Sequence, residues 1–109
     1  MRDDKLYLIH IAECIAKIES YVSKIDKDSF LDSTLVQDAV IRNLQVLAES
    51  TQKLSEKIKL SNSEIDWYKI AGFRNILVHD YLGVDMVTIW NIIEKEIPNL
   101  KKAFNSILG

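Results

Sequence analysis

The run STLVQDAVIRNLQVLAESTQKLSEKIK, Ser33 to Lys59, decides what kind of chain this is. Val36, Val40, Leu44, Leu47, Leu54 and Ile58 recur in steps of three and four once Thr51 is counted in the gap. That period lays apolar groups along one face of an α-helix, where a half-buried strand would need strict alternation. No Gly or Pro interrupts the run, and Asp32 stands where an N-cap belongs. Arg42 and Glu49, seven residues apart, share a face of this helix.

The same pattern extends outward in both directions. Upstream, Leu8, Ile11, Ile15, Ile18, Val22 and Ile25 make a second seam, predicting a helix from about Asp4 to Ile25 with Asp3 or Asp4 as cap. DKDS, Asp26 to Ser29, reads as the turn between them. Downstream, Ser61 and Glu64 match a capping box. The third helix they open carries Ile65, Trp67, Tyr68, Ile70, Ala71 and Phe73, and is expected to stop near Gly83. Asp85 can cap a fourth, seamed by Met86, Trp90, Ile93, Ile97, Leu100, Phe104 and Ile107. Pro98 lies inside that last run and lacks an N–H, so a kink is expected there.

Four amphipathic helices with short connections predict an all-α fold, an antiparallel four-helix-type bundle in one domain over residues 1–109. Three Gly and one Pro agree with long elements and few loops. A hydrophobic share of 48% supplies a core and argues against disorder. Tyr7, Ile41, Val46 and Ile92 fall off the main seams; a second copy of the chain could cover them, which predicts a homodimer. No apolar run approaches the roughly 18 residues of a membrane span, and MRDDKLYLIH has no apolar h-region, so no signal peptide is expected. The single cysteine, Cys14, has no partner for an internal disulfide. Together these features predict a cytoplasmic protein without a membrane partner.

The net charge of −2 gives no general attraction for nucleic acid, so phosphate chemistry would need a local arrangement of cations. One stretch offers it: RNILVHDY, Arg74 to Tyr81. On a helix Arg74, Val78 and Tyr81 share a stripe, and Asn75 and His79 are neighbours on an adjoining one. Arg74 and His79 project about 140° apart, so one helix does not easily aim both at a single atom. Arginine stays protonated and its planar fork fits phosphate oxygens. Histidine moves protons near neutrality, and asparagine can orient the imidazole or donate to phosphate. Cleavage of RNA by its own 2′-hydroxyl needs one group to take a proton and another to give one. A two-fold axis near this helix would place two His79 and two Arg74 in one cleft. On spacing alone, a surface arginine and a satisfied polar histidine are the better explanation of the pattern.

Arg74, His79 and Tyr81, with Asn75 after the arginine, also fit the signature Arg, four residues, His, any residue, Tyr. In that motif, in LQVLAES (Leu44 to Ser50), and in Trp67, Trp90 and the IPNL around Pro98, the chain resembles HEPN-domain proteins of the HepT toxin group over nearly its whole length. Ala48, Glu49 and Ser50 stand where such proteins often have Gly-Glu-Ala. The resemblance implies a HEPN-like bundle and a homodimer with the motif at its interface. It implies a metal-independent endoribonuclease, the toxin of a type VII-like toxin–antitoxin pair, with Arg74 and His79 catalytic and Asn75 supporting. It also implies a minimal nucleotidyltransferase antitoxin that transfers AMP to Tyr81, and an RNA substrate such as tRNA or mRNA. The alternative is a non-catalytic helical adaptor or nucleotide-binding subunit of a nucleotidyltransferase.

Other polar residues are weighed beside these. Glu49 could pair with Arg74 and hold it, or remain a solvated charge with Arg42. Asp80 could orient His79. His10, His79 and Asp80 have no recognised metal-ligand spacing, so no metal or other cofactor is expected. Trp67 and Trp90 read as core or interface, Tyr7, Tyr21 and Tyr68 as packing, and Cys14 as a small buried residue. His10, Lys53, Lys57 and Lys59 read as surface.

Overall fold

The computed structural model describes the backbone of residues 3–79 and 85–108, with the side chains of all of these except Val78 and His79. Helix α1 (Asp4–Val22) is capped by Asp3, whose carboxylate accepts the Leu6 N–H at 3.2 Å. It ends three residues before Ile25, which still packs partly buried against the core. The DKDS turn is instead the cap and first turn of a short helix, α2 (Lys27–Asp32). Asp26 accepts the Ser29 N–H at 2.9 Å, and that bond holds the Asp26 carboxyl below its ordinary pKa. The reward is the placement of Phe30, which is fully buried against the Trp90 ring at 5.2 Å.

The long second helix is two. Helix α3 (Thr34–Gln52) is capped by Ser33, because Asp32 already belongs to α2. Gln37 fixes the junction by donating its side-chain amide to the Phe30 and Leu31 carbonyls, both at 3.0 Å. The seam is read correctly: Val40, Leu44, Leu47, Thr51 and Leu54 are buried, with Val36 and Ile58 partly so. The helix stops early because Asp4 takes the Ser55 N–H at 2.9 Å and the Ser55 hydroxyl at 2.6 Å. Ser55 then caps α4 (Glu56–Ser61) through the Ile58 N–H.

Ser61 closes α4 and does not open the next helix. Helix α5 (Trp67–His79) starts on Asp66, whose carboxylate accepts the Lys69 N–H at 2.9 Å. The Trp67 indole N–H donates to the Lys59 and Asn62 carbonyls at the end of α4, and its ring meets Phe104 edge-on at 5.8 Å. The expected stop near Gly83 lies outside the described residues. Asp85 caps α6 (Met86–Asn91) as read from the sequence.

Pro98 is accommodated by a π turn over Ile92–Glu96, followed directly by α7 (Ile97–Leu108). Ile97 N–H reaches Ile92 O, an i→i−5 bond. The wider turn lies directly before the proline, whose ring would clash with the Glu94 carbonyl in a regular α-helix. Ile92 and Ile93 are both buried there, so Ile92 needs no second copy to cover it.

Helix α3 packs between α1 and α5, and α7 packs on α1. With α6 and the π turn continuing into α7, this is the all-α bundle expected, and no strand occurs among the described residues. Tyr7, Ile41 and Val46 lie half-buried against the core. Tyr68 does not pack: it is 90% exposed. Among the described residues no helix is long and apolar enough to cross a membrane.

Candidate functional site

Helix α5 turns Ile70, Phe73 and Leu77 into the core. That orientation alone sends Arg74 and Asn75 outward, and both are exposed. The outer stripe of the helix runs through Tyr68, Gly72 and Asn75. At Gly72 a Cβ would meet no atom within 4 Å, so this face is open.

Arg74 borders a groove of about 540 Å³ whose other walls are Glu49, Gln52 and Lys53 at the end of α3. The groove forms because α3 and α5 pack side by side and α3 ends beside the middle of α5. Glu49 and Arg74 therefore do share a site. They share it without a salt bridge to each other; ion pairs elsewhere in the bundle include Lys69 with Glu96 and Lys101 with Glu19. A guanidinium held open to water beside an amide and an ammonium can receive a phosphate, and Glu49 opposes it from the same wall.

His79 is the last residue of α5, one helical turn after Asn75. Its side chain, and the whole of Asp80 and Tyr81, lie outside the described residues. Gln52 and Lys53 were not singled out from the sequence for this site. The available signal was the α3 register, because Lys53 follows Glu49 by four residues.

Arg42 does not join Glu49. It faces a second groove of about 340 Å³ between α1 and α3, with His10, Cys14 and Lys17. Cys14 is 5% exposed there, as expected of a small buried residue. Burial pushes its thiol pKa up, against the opposing pull of the nearby Lys17 and Arg42 charges. His10 is half-buried, its ring edge-on to Tyr7 at 6.3 Å. Trp90 is core, and Trp67 is half-buried against it.

The family model described as Ribonuclease HepT-like matches residues 11–107. The protein named "Probable ribonuclease HepT" in Thermococcus cleftensis is 36% identical over 97% of this chain and 96% of its own length. A Methanocaldococcus jannaschii protein named "Gamma-glutamylcyclotransferase and putative RNase MJ0434" is 36% identical over 98% of this chain, which spans 48% of that longer relative. No solved structure gives a significant match. With a family model matched across almost all of its helices, the chain belongs to the HepT-like ribonuclease family.

Proposed function

We propose that this protein is a metal-independent endoribonuclease and the toxin of a toxin–antitoxin pair, acting as a homodimer. The observation that carries the proposal is the seat of Arg74. In a chain of the HepT-like ribonuclease family, the motif arginine stands exposed on an open groove, on a helix whose inner face is fully committed to the core. The open outer stripe of α5, with Tyr68 exposed and Gly72 uncovered, is a suitable seam for a second copy.

In the dimer, one His79 takes the proton of a ribose 2′-hydroxyl, whose oxygen attacks the adjacent phosphorus. The P–O5′ bond breaks, and the other His79 protonates the departing 5′-oxygen. The products are a 2′,3′-cyclic phosphate and a 5′-hydroxyl. Arg74 from each subunit binds the non-bridging oxygens and offsets the charge that develops on them, and Asn75 orients the imidazole. No step needs a redox partner or a metal-bound water.

A minimal nucleotidyltransferase antitoxin would silence the site at Tyr81. The phenol oxygen attacks the α-phosphorus of ATP, pyrophosphate leaves, and AMP remains on the ring. Tyr81 follows Arg74 by seven residues, so on a continuing helix the added phosphate would share the Arg74 stripe and keep RNA from the groove.

The test is cleavage of RNA in excess chelator by purified wild type and by His79→Ala. The expected result is cyclic-phosphate ends from the wild type and none from the variant. Equal cleavage by both rejects the mechanism. A wild type that never cuts RNA yet binds a nucleotidyltransferase establishes instead the adaptor role, which the net charge of −2 would suit.

A further inference from the structure

The groove between α1 and α3 lies apart from Arg74 and serves no step above. Lys17 and Arg42 line it from opposite helices, with His10 and the Asn43 side chain beside them. Glu13 is its one carboxylate. Arg42 is exposed and makes no ion pair among the described residues. A chain with a net charge of −2 thus keeps a locally cationic furrow of about 340 Å³ open to water.

Its register relates it to the first groove. Arg42, Val46, Glu49 and Lys53 follow one another at intervals of four, three and four, so they lie along one stripe of α3, in which Arg42, Glu49 and Lys53 are exposed and Val46 is half-buried. Arg42 and Val46 border the α1 groove, while Glu49 and Lys53 border the Arg74 groove. Eleven residues of helix separate the two ends, about 16 Å at 1.5 Å per residue. A small anion can occupy only one end. A polynucleotide strand lying along the α3 stripe reaches both.

From this we infer that Lys17 and Arg42, with His10 and Asn43 as further donors, form a second phosphate-binding subsite that holds the RNA backbone several nucleotides from the scissile bond. The inference rests on the ribonuclease reading and deepens it. The subsite contacts phosphate and no base edge, so it contributes affinity and register without sequence preference.

The experiment measures equilibrium binding of a labelled single-stranded RNA across a salt series. It compares the wild type, Lys17→Ala/Arg42→Ala and Lys95→Ala/Lys102→Ala. The last pair removes the same charge from exposed positions on neither groove. Each phosphate contact adds about 0.7 to the magnitude of the slope of log K against log salt for a single strand. The expected result is a slope smaller by about 1.4 for Lys17→Ala/Arg42→Ala, and weaker binding to every sequence tried. The control keeps the wild-type slope, and circular dichroism shows both variants folded. Equal slopes for the two variants overturn the subsite while leaving cleavage at Arg74 intact. Displacement of RNA by inorganic phosphate at the same low concentration as by unlabelled RNA overturns it too, since the groove would then serve a free anion. A wild type that shows no binding and no cleavage overturns both the subsite and the ribonuclease reading.

Discussion

Asp4 and Ser55, fifty-one positions apart, are joined by two hydrogen bonds, one to the backbone N–H at 2.9 Å and one to the hydroxyl at 2.6 Å. One carboxylate thereby ends α3, starts α4 and ties both to the first turn of α1. The site depends on it, because the groove at Arg74 exists only where α3 gives out.

Asp4→Ala is expected to destabilise the protein by about 1.5–3 kcal/mol, the range for a hydrogen bond to a charged group. Ser55→Ala keeps the N–H bond but loses both the hydroxyl bond to Asp4 and the α4 cap at the Ile58 N–H, and is expected to cost a comparable amount. Urea midpoints read both. Asp4→Ala with an unchanged midpoint would show that this contact adds nothing to the stability of the fold.

Neighbours on α5 are expected to separate stability from function. Phe73 is 3% exposed, and Phe73→Ala is expected to cost about 3–5 kcal/mol. Arg74 is exposed, so Arg74→Ala is expected to shift stability by no more than about 0.5 kcal/mol while abolishing RNA cleavage. Arg74→Lys keeps the charge but loses the fork, and should recover only part of the rate. Parallel unfolding and cleavage assays decide; an Arg74→Ala protein that cuts at the wild-type rate contradicts the proposed site.

Glu49 shares the groove with Arg74 and makes no ion pair with it. Glu49→Gln removes a charge that repels phosphate. It is expected to tighten RNA binding a few-fold at low ionic strength, with the gain fading as salt rises. Loss of cleavage with unchanged affinity would mean instead that the carboxylate takes part in the chemistry.

Cys14 is buried and its thiol pKa is raised by desolvation. It is expected to react slowly with a thiol reagent at neutral pH and quickly once the chain is unfolded in denaturant. The linkage has a definite sign. The folded state holds the thiol proton more tightly, so this contribution to stability is complete below the unfolded thiol value of about 8.5. It is lost as pH rises through that value toward the folded one. Native labelling as fast as denatured labelling would refute the burial.

The all-α class was legible because periodicity is a local property. The apolar steps of Val40, Leu44 and Leu47 fix which side of α3 faces inward whatever that side packs against, and all three are fully buried. The Asp85 cap was legible for the same reason, since its partner is the Val87 N–H two residues on. Arg74 and its groove partner Glu49 were named from residue type and motif. That they would lack a salt bridge was not legible, because it depends on how α3 and α5 are offset. Tyr68 was assigned to packing on its apolar ring alone, and α5 turns that ring to solvent.

What the order of side chains determined by itself is the all-helical class, the inward faces of the long helices and the chemical character of Arg74 to Tyr81, all of which rest on neighbours within about one helical turn. What only the tertiary structure decided is where α3 breaks, how the π turn absorbs Pro98, and that Arg42 and Glu49, on one stripe, open into different grooves. The physical reason is range. A helix seam is written in spacings of three and four, whereas a carboxylate that ends α3 from fifty-one residues away, or α1 and α5 flanking α3 to shape two grooves, leaves no local trace.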